Sequence, residues 1–140
     1  MLRKIVSVLA AGTLAWSALA SSPPAGVTPL EAAATRVAPS GTASVQLLAR
    51  GENAFLGKLT LQPGAAVPLH RDATEEYIHV LRGGGTMTID GQTHAVHVGD
   101  TVYMPARAEV SFTNGDAVSE VLQVFAGPAP AAKYEGWKSR

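Results

Sequence analysis

The chain contains no cysteine. That excludes disulfide staples, thiolate metal ligation, a thiol nucleophile and an acylated cysteine anchor. Its fold must be stabilised by the core alone. An excess of one charge is also lacking, because eleven Lys and Arg balance eleven Asp and Glu. No basic patch points to nucleic acid or to an anionic membrane surface. There is no Ser/His/Asp elbow, no phosphate-cradling glycine loop leading into a helix, and no His-x-x-x-His zinc helix. Beyond Gly41 no segment has helical periodicity, and no internal repeat or low-complexity run interrupts the domain.

A length of 140 residues argues for one domain. The N-terminus shortens the folded part. MLRK is a basic start, and the sixteen residues of IVSVLAAGTLAWSALA are apolar or small. A bilayer-spanning helix needs roughly twenty such residues. Ala18-Leu19-Ala20 is a small-x-small cleavage site before Ser21. The pattern predicts a secretory signal peptide over residues 1–20 and a secreted or periplasmic product. Nine Lys and Arg then face eleven Asp and Glu, and no membrane-binding segment remains.

Residues 21–41 are rich in Ala, Pro, Ser and Gly and read as a linker or arm, with a turn of helix near Pro29–Thr35. From Thr42 the period becomes two. Val45 and Leu47 alternate with Ser44 and Gln46, and Phe55, Leu59 and Leu61 with Leu56, Lys58 and Thr60. Short strands follow as far as Phe125, separated by Gly, Pro, Asn and Asp. Asp90-Gly91 is a two-residue hairpin signal. Gly83-Gly84-Gly85 lies inside a β pattern and reads as a bulge or corner. The fold class is all-β, an antiparallel barrel or sandwich with little helix. The tail, residues 129–140, carries Tyr134 and Trp137, placed to pack on the barrel wall.

Chemistry concentrates between Gly64 and Gly83, GAAVPLHRDATEEYIHVLRG. His70 and Asp72 are two apart and share a face if the strand is extended. Glu76 joins them if a turn at Ala73-Thr74 folds the chain back. Buried carboxylates need a cation or a proton. A metal, a shared proton, or a His–Asp ion pair beside a protonated Glu76 would each serve. One imidazole with two carboxylates suits Mn²⁺, Fe²⁺, Mg²⁺ or Ca²⁺ better than copper. His79 alternates away from Glu76, and His97 should face solvent. His94 reaches the site only if the face it shares with Val96 is interior.

This stretch resembles the first cupin motif, G-x5-H-x-H-x3-E-x6-G. Gly64, His70, Glu76 and Gly83 match it, and Asp72 stands in place of the second His. GDTVYMPARAEVSFTN is similar to the second motif, G-x5-P-x-G-x2-H-x3-N, through Gly99, Pro105 and Asn114. There Arg107 replaces the Gly, and Val110 replaces the His. The resemblance covers about Thr42 to Pro128 and implies a jelly-roll β-barrel over residues 42–128. It implies metal ligands at His70, Asp72 and Glu76, with Val110 removing the fourth. His94 and Arg107 become candidate ligand-binding residues near the barrel interior and mouth. It also implies pairing of two copies by sheet extension.

Two function classes follow. One is an exported binding or sensing module for a small polar ligand, holding a divalent metal weakly. The other is a metal-dependent enzyme of the oxygenase or isomerase type. The sequence requires no cofactor and does not decide whether the protein is an enzyme.

Overall fold

A computed structural model describes residues 23–140, so the expected signal peptide at residues 1–20 lies outside the described residues. In chain order, a short 3₁₀ turn at Leu30–Ala32 precedes β1 (Thr35–Val37), β2 (Ala43–Arg50), β3 (Phe55–Leu61) and β4 (Ala66–His70). Then come β5 (Glu76–Arg82), β6 (Gly85–Ile89), β7 (Gln92–Val96), β8 (Thr101–Met104), β9 (Val110–Asn114) and β10 (Ser119–Phe125). A 3₁₀ helix at Ala129–Gly136 and β11 (Lys138–Ser139) end the chain. One sheet has seven strands in the order β11-β1-β2-β3-β10-β5-β8, and the other has four, β4-β9-β6-β7. The fold is mostly β, antiparallel and poor in helix, in the jelly-roll arrangement.

Period-two patterning is the local cause. Along β3 and β10 burial alternates strictly, with Phe55, Leu59 and Leu61 facing Phe125, Val121 and Ser119 in register. The Phe55 and Phe125 rings lie 5.9 Å apart. Val45, Val80 and Val121 of the larger sheet pack in one core with Met87, Val96 and Val110 of the smaller. Burying such apolar side chains between two sheet faces stabilises each by about 1.5–3 kcal/mol.

The glycine run is a corner. It moves the chain from β5 in one sheet to β6 in the other, with Gly83 at φ +73° and Gly84 at φ +153°. Asp90 and Gly91 both take positive φ and close the β6–β7 hairpin, with Ile89 opposite Gln92. The Asn114 amide reaches the carbonyls of Leu61, Gln62 and Ala117 at 2.8–3.2 Å, and the Ser119 hydroxyl donates to its Oδ1. Ser119 in turn accepts from the Gly84 N–H. The asparagine of the second motif therefore ties turns together and stands outside the site.

The sheet extends into both flanking segments. Thr35–Val37, expected within a linker, pairs with β2, and the tail strand β11 pairs with it in turn. Strands of two or three residues are too short to show a period in the sequence. Their stability comes from backbone hydrogen bonds to a neighbour that is remote in sequence.

Candidate functional site

His70 is the last residue of β4, and Glu76 is the first of β5. These strands do not pair with each other. β4 pairs with β9, and β5 lies between β10 and β8. The bend at Ala73-Thr74 folds the chain back as expected, and it does so by carrying it from the smaller sheet to the larger. His70 and Glu76 approach each other from different sheets, and Asp72 sits on the connection. The Arg107 N–H holds that connection by donating to the Asp72 carbonyl at 2.8 Å.

His70, Asp72 and Glu76 each offer a ligand atom, and the three atoms lie within 4.8 Å of one another. His70 Nδ1 is 2.9 Å from the Pro68 carbonyl, which can only accept, so Nδ1 carries the proton. Nε2 then faces Asp72 Oδ2 at 3.4 Å. A backbone carbonyl fixing one ring nitrogen so that the other is free is the usual support of a metal-ligating histidine. The donor set thus fits a hard divalent ion held by three residues. An apolar side chain stands where the motif has a fourth donor. Val110 is paired with His70 across β4 and β9, is 4% exposed, and lines the same cavity.

Three residues that were not legible as site residues complete the cluster. Gln123 of β10 donates from Nε2 to Glu76 Oε1, and its Oε1 accepts from the Tyr134 hydroxyl, both at 2.5 Å. Lys133, beside Tyr134 in the C-terminal 3₁₀ helix, places Nζ 3.1 and 3.3 Å from the Asp72 carboxylate oxygens. That ammonium also lies 4.8 Å from the centre of the Phe125 ring. Gln123 left a trace in the sequence, since it is the polar member of the inward set Val121, Gln123 and Phe125. Lys133 left none, because one lysine in a Pro/Ala-rich tail looks like any solvated charge.

The electrostatics follow from these contacts. The hydrogen bond to Asp72 holds the His70 imidazole above its ordinary pKa, against burial, which works the other way. Burial pushes Asp72 upward, but the His70 hydrogen bond and the Lys133 charge outweigh it and leave the carboxyl below its usual range. Burial dominates at Glu76 and raises it, with the Gln123 hydrogen bond and the Lys133 charge opposing. Burial likewise raises the Tyr134 phenol.

The cluster faces a cavity of about 420 Å³ between the sheets. Leu59, Ile78, Val80, Met87, Val102, Met104 and Phe112 supply much of its wall. Ser40, Thr42 and Arg71, all exposed, also line it.

The other candidates lie elsewhere. His94 shares a face with Val96 and stands opposite Met87, yet it is exposed on β7, the free edge of the smaller sheet, and does not line the cavity. Arg107 does not line it either. Its side chain is exposed, and its backbone takes φ +66° at the position where the motif has glycine. Neither is brought to the His70 cluster. His79 is bonded to Thr101 on the exposed side, and His97 faces solvent.

The sequence profile described as "Cupin domain" matches residues 57–125. Similar solved structures include an RmlC-like cupin from Shewanella frigidimarina, with TM-score 0.68, 15% identity, and coverage of 74% of this chain and 92% of that one. A protein from Thermotoga maritima described as a predicted oxalate decarboxylase superimposes with TM-score 0.66 at 21% identity, over 73% of this chain and 99% of that one. The polyketide cyclase RemF from Streptomyces resistomycificus does so with TM-score 0.64 at 17% identity, over 73% and 79%. At such identities these likenesses speak for the fold. An uncharacterised protein of Methanocaldococcus jannaschii is 32% identical over 66 residues, 46% of this chain. The chain spans about half the length of that relative, 53%. With both motifs, the two-sheet barrel and the profile match in agreement, this chain belongs to the cupin superfamily.

Proposed function

We propose that the protein is an exported cupin that binds a small molecule with an apolar body and one polar end. A divalent metal would be held only weakly at that end. The observation that carries this reading is the cavity, whose walls are mostly apolar and whose convergent polar groups are His70, Asp72, Glu76 and Lys133. An apolar wall rewards hydrocarbon or ring surface on the ligand, which refines the small polar ligand expected from the sequence. Glu76 and Asp72 accept hydrogen bonds there, and Lys133 donates them. A metal bound by His70, Asp72 and Glu76 would supply an electrophilic centre for a ligand oxygen. The enzyme reading keeps one point in its favour. Glu76 is buried, and its pKa is raised, which suits a carboxylate that moves a proton.

The test is recovery of the ligand. Native mass spectrometry of the purified protein should show a bound species of this class. A panel of amphipathic acids, alcohols and ketones should contain members that raise the melting temperature by roughly 5 °C or more at saturation. Ile78→Phe, which fills the cavity from β5, should abolish both effects while the protein still melts cooperatively. A cavity that holds nothing from the preparation or the panel would sink the reading.

The export half rests on the basic start and on Ala18-Leu19-Ala20. The exported product should begin at Ser21 by intact mass. A product that retains residues 1–20 would refute cleavage.

A further inference from the structure

We infer that Lys133 is a built-in competitor for the metal position of this cupin: its ammonium pairs with Asp72 there, and a divalent ion binds only by displacing it. The inference rests on the reading of His70, Asp72 and Glu76 as a donor set, and it adds what governs the occupancy of that set.

The geometry points to competition because the two cations would use the same atom. Asp72 Oδ2 is the oxygen that faces His70 Nε2 at 3.4 Å, and it is also the oxygen 3.1 Å from Lys133 Nζ. An ion that draws on both Nε2 and Oδ2 takes its oxygen from the ammonium. The two positive charges would then sit side by side in a partly buried cluster, where repulsion is stronger than in water. The ammonium is held there by more than Asp72. Nζ lies 4.8 Å from the Phe125 ring centre, within cation–π range. The neighbouring residues Ala131 and Tyr134 are buried and anchor its 3₁₀ helix to the barrel. The Lys133 side chain remains about one-third exposed, at 36%, so it has a path toward solvent when it is displaced. The Asp72 carboxylate therefore already has a cation without a metal, and each metal-binding event must first undo an ion pair and a ring contact.

The test is calorimetric titration of Mn²⁺ into the full chain and into Lys133→Met, Lys133→Gln and Lys133→Arg, each checked by its melt. Met and Gln keep the stem and lose the charge. Both should bind Mn²⁺ about tenfold tighter than the parent, the equivalent of removing one partly buried ion pair. Arg keeps the charge and should bind no tighter than the parent. A second readout needs no variant. Labelling of Lys133 by an amine-reactive reagent should speed up several-fold when the parent is saturated with Mn²⁺, with the exposed Lys138 unchanged as an internal reference. Equal Mn²⁺ affinity in the parent and both neutral variants would overturn the competition while leaving the metal site intact. Unchanged labelling of Lys133 in the metal-loaded parent would do the same. If none of the four forms binds Mn²⁺, both the competition and the metal reading fall.

Discussion

Val110→His should raise the affinity for Mn²⁺ or Zn²⁺ by about a hundredfold, a gain of the size that ligand-shell changes bring to metal sites. Val110 is paired with His70, buried, and part of the same cavity wall. Residues directly opposite on adjacent strands carry Cβ atoms about 4.5–5.5 Å apart and share a face. An imidazole at position 110 therefore projects toward the donor set and adds a neutral nitrogen to one nitrogen and two carboxylates. Ca²⁺, which prefers oxygen, should gain little. Without metal the variant should lose about 1–3 kcal/mol, because a larger, polar ring replaces a fitted isopropyl group. Saturating metal should return that loss through linkage. Melts with and without metal, paired with calorimetric titration, measure both effects. A variant that binds no tighter than the parent would mean that the side chain at position 110 faces elsewhere or that the cluster is not a metal centre.

Gly83→Ala should destabilise the fold by about 3 kcal/mol or more, near the upper range for a single substitution. Two costs combine at this corner. The backbone sits at φ +73°, which an alanine adopts at a cost of about 1–2 kcal/mol. A Cβ there would also run into the Ser119 hydroxyl and come within 2.7 Å of the Val118 carbonyl oxygen and 2.8 Å of Ser119 Cα. Ser119 belongs to a network with Asn114 and Gly84, and the other two atoms are backbone or bound to it, so they have little freedom to yield. Gly91→Ala separates the two costs. Its φ is +80°, and a Cβ there meets nothing within 4 Å, so only the backbone cost of about 1 kcal/mol should appear. Urea unfolding of both variants gives the comparison. Equal losses at the two positions would remove the steric part of the argument.

The strands from Thr42 to Phe125 were legible because alternation of apolar and polar residues is a local property. So were the Asp90-Gly91 hairpin and the glycine corner, which depend on backbone conformations that few residues adopt. The convergence of His70, Asp72 and Glu76 was legible only through the spacing of a known motif. The turn at Ala73-Thr74 does bring Glu76 back to His70, but which strands it joins was not legible: β4 and β5 belong to different sheets. Burial at the edge of a sheet was not legible either. His94 has the right parity to point inward and shares a face with the buried Val96, but it lies toward the middle of the edge strand β7, where burial has ended.

By itself, then, the sequence determined an all-β barrel, its turn positions and three donors in one stretch, while the apolar residue in place of a fourth donor came from the resemblance. These depend on side-chain period, glycine stereochemistry and short-range spacing, which neighbouring residues settle among themselves. The tertiary structure alone decided that the tail returns to the site, that Lys133 answers the charge of Asp72, and that Tyr134 and Gln123 hold Glu76. Asp72 and Lys133 are sixty-one positions apart. Nothing local to either residue encodes the pair, because a charge finds its partner only after the two sheets close and exclude the water that would otherwise solvate it.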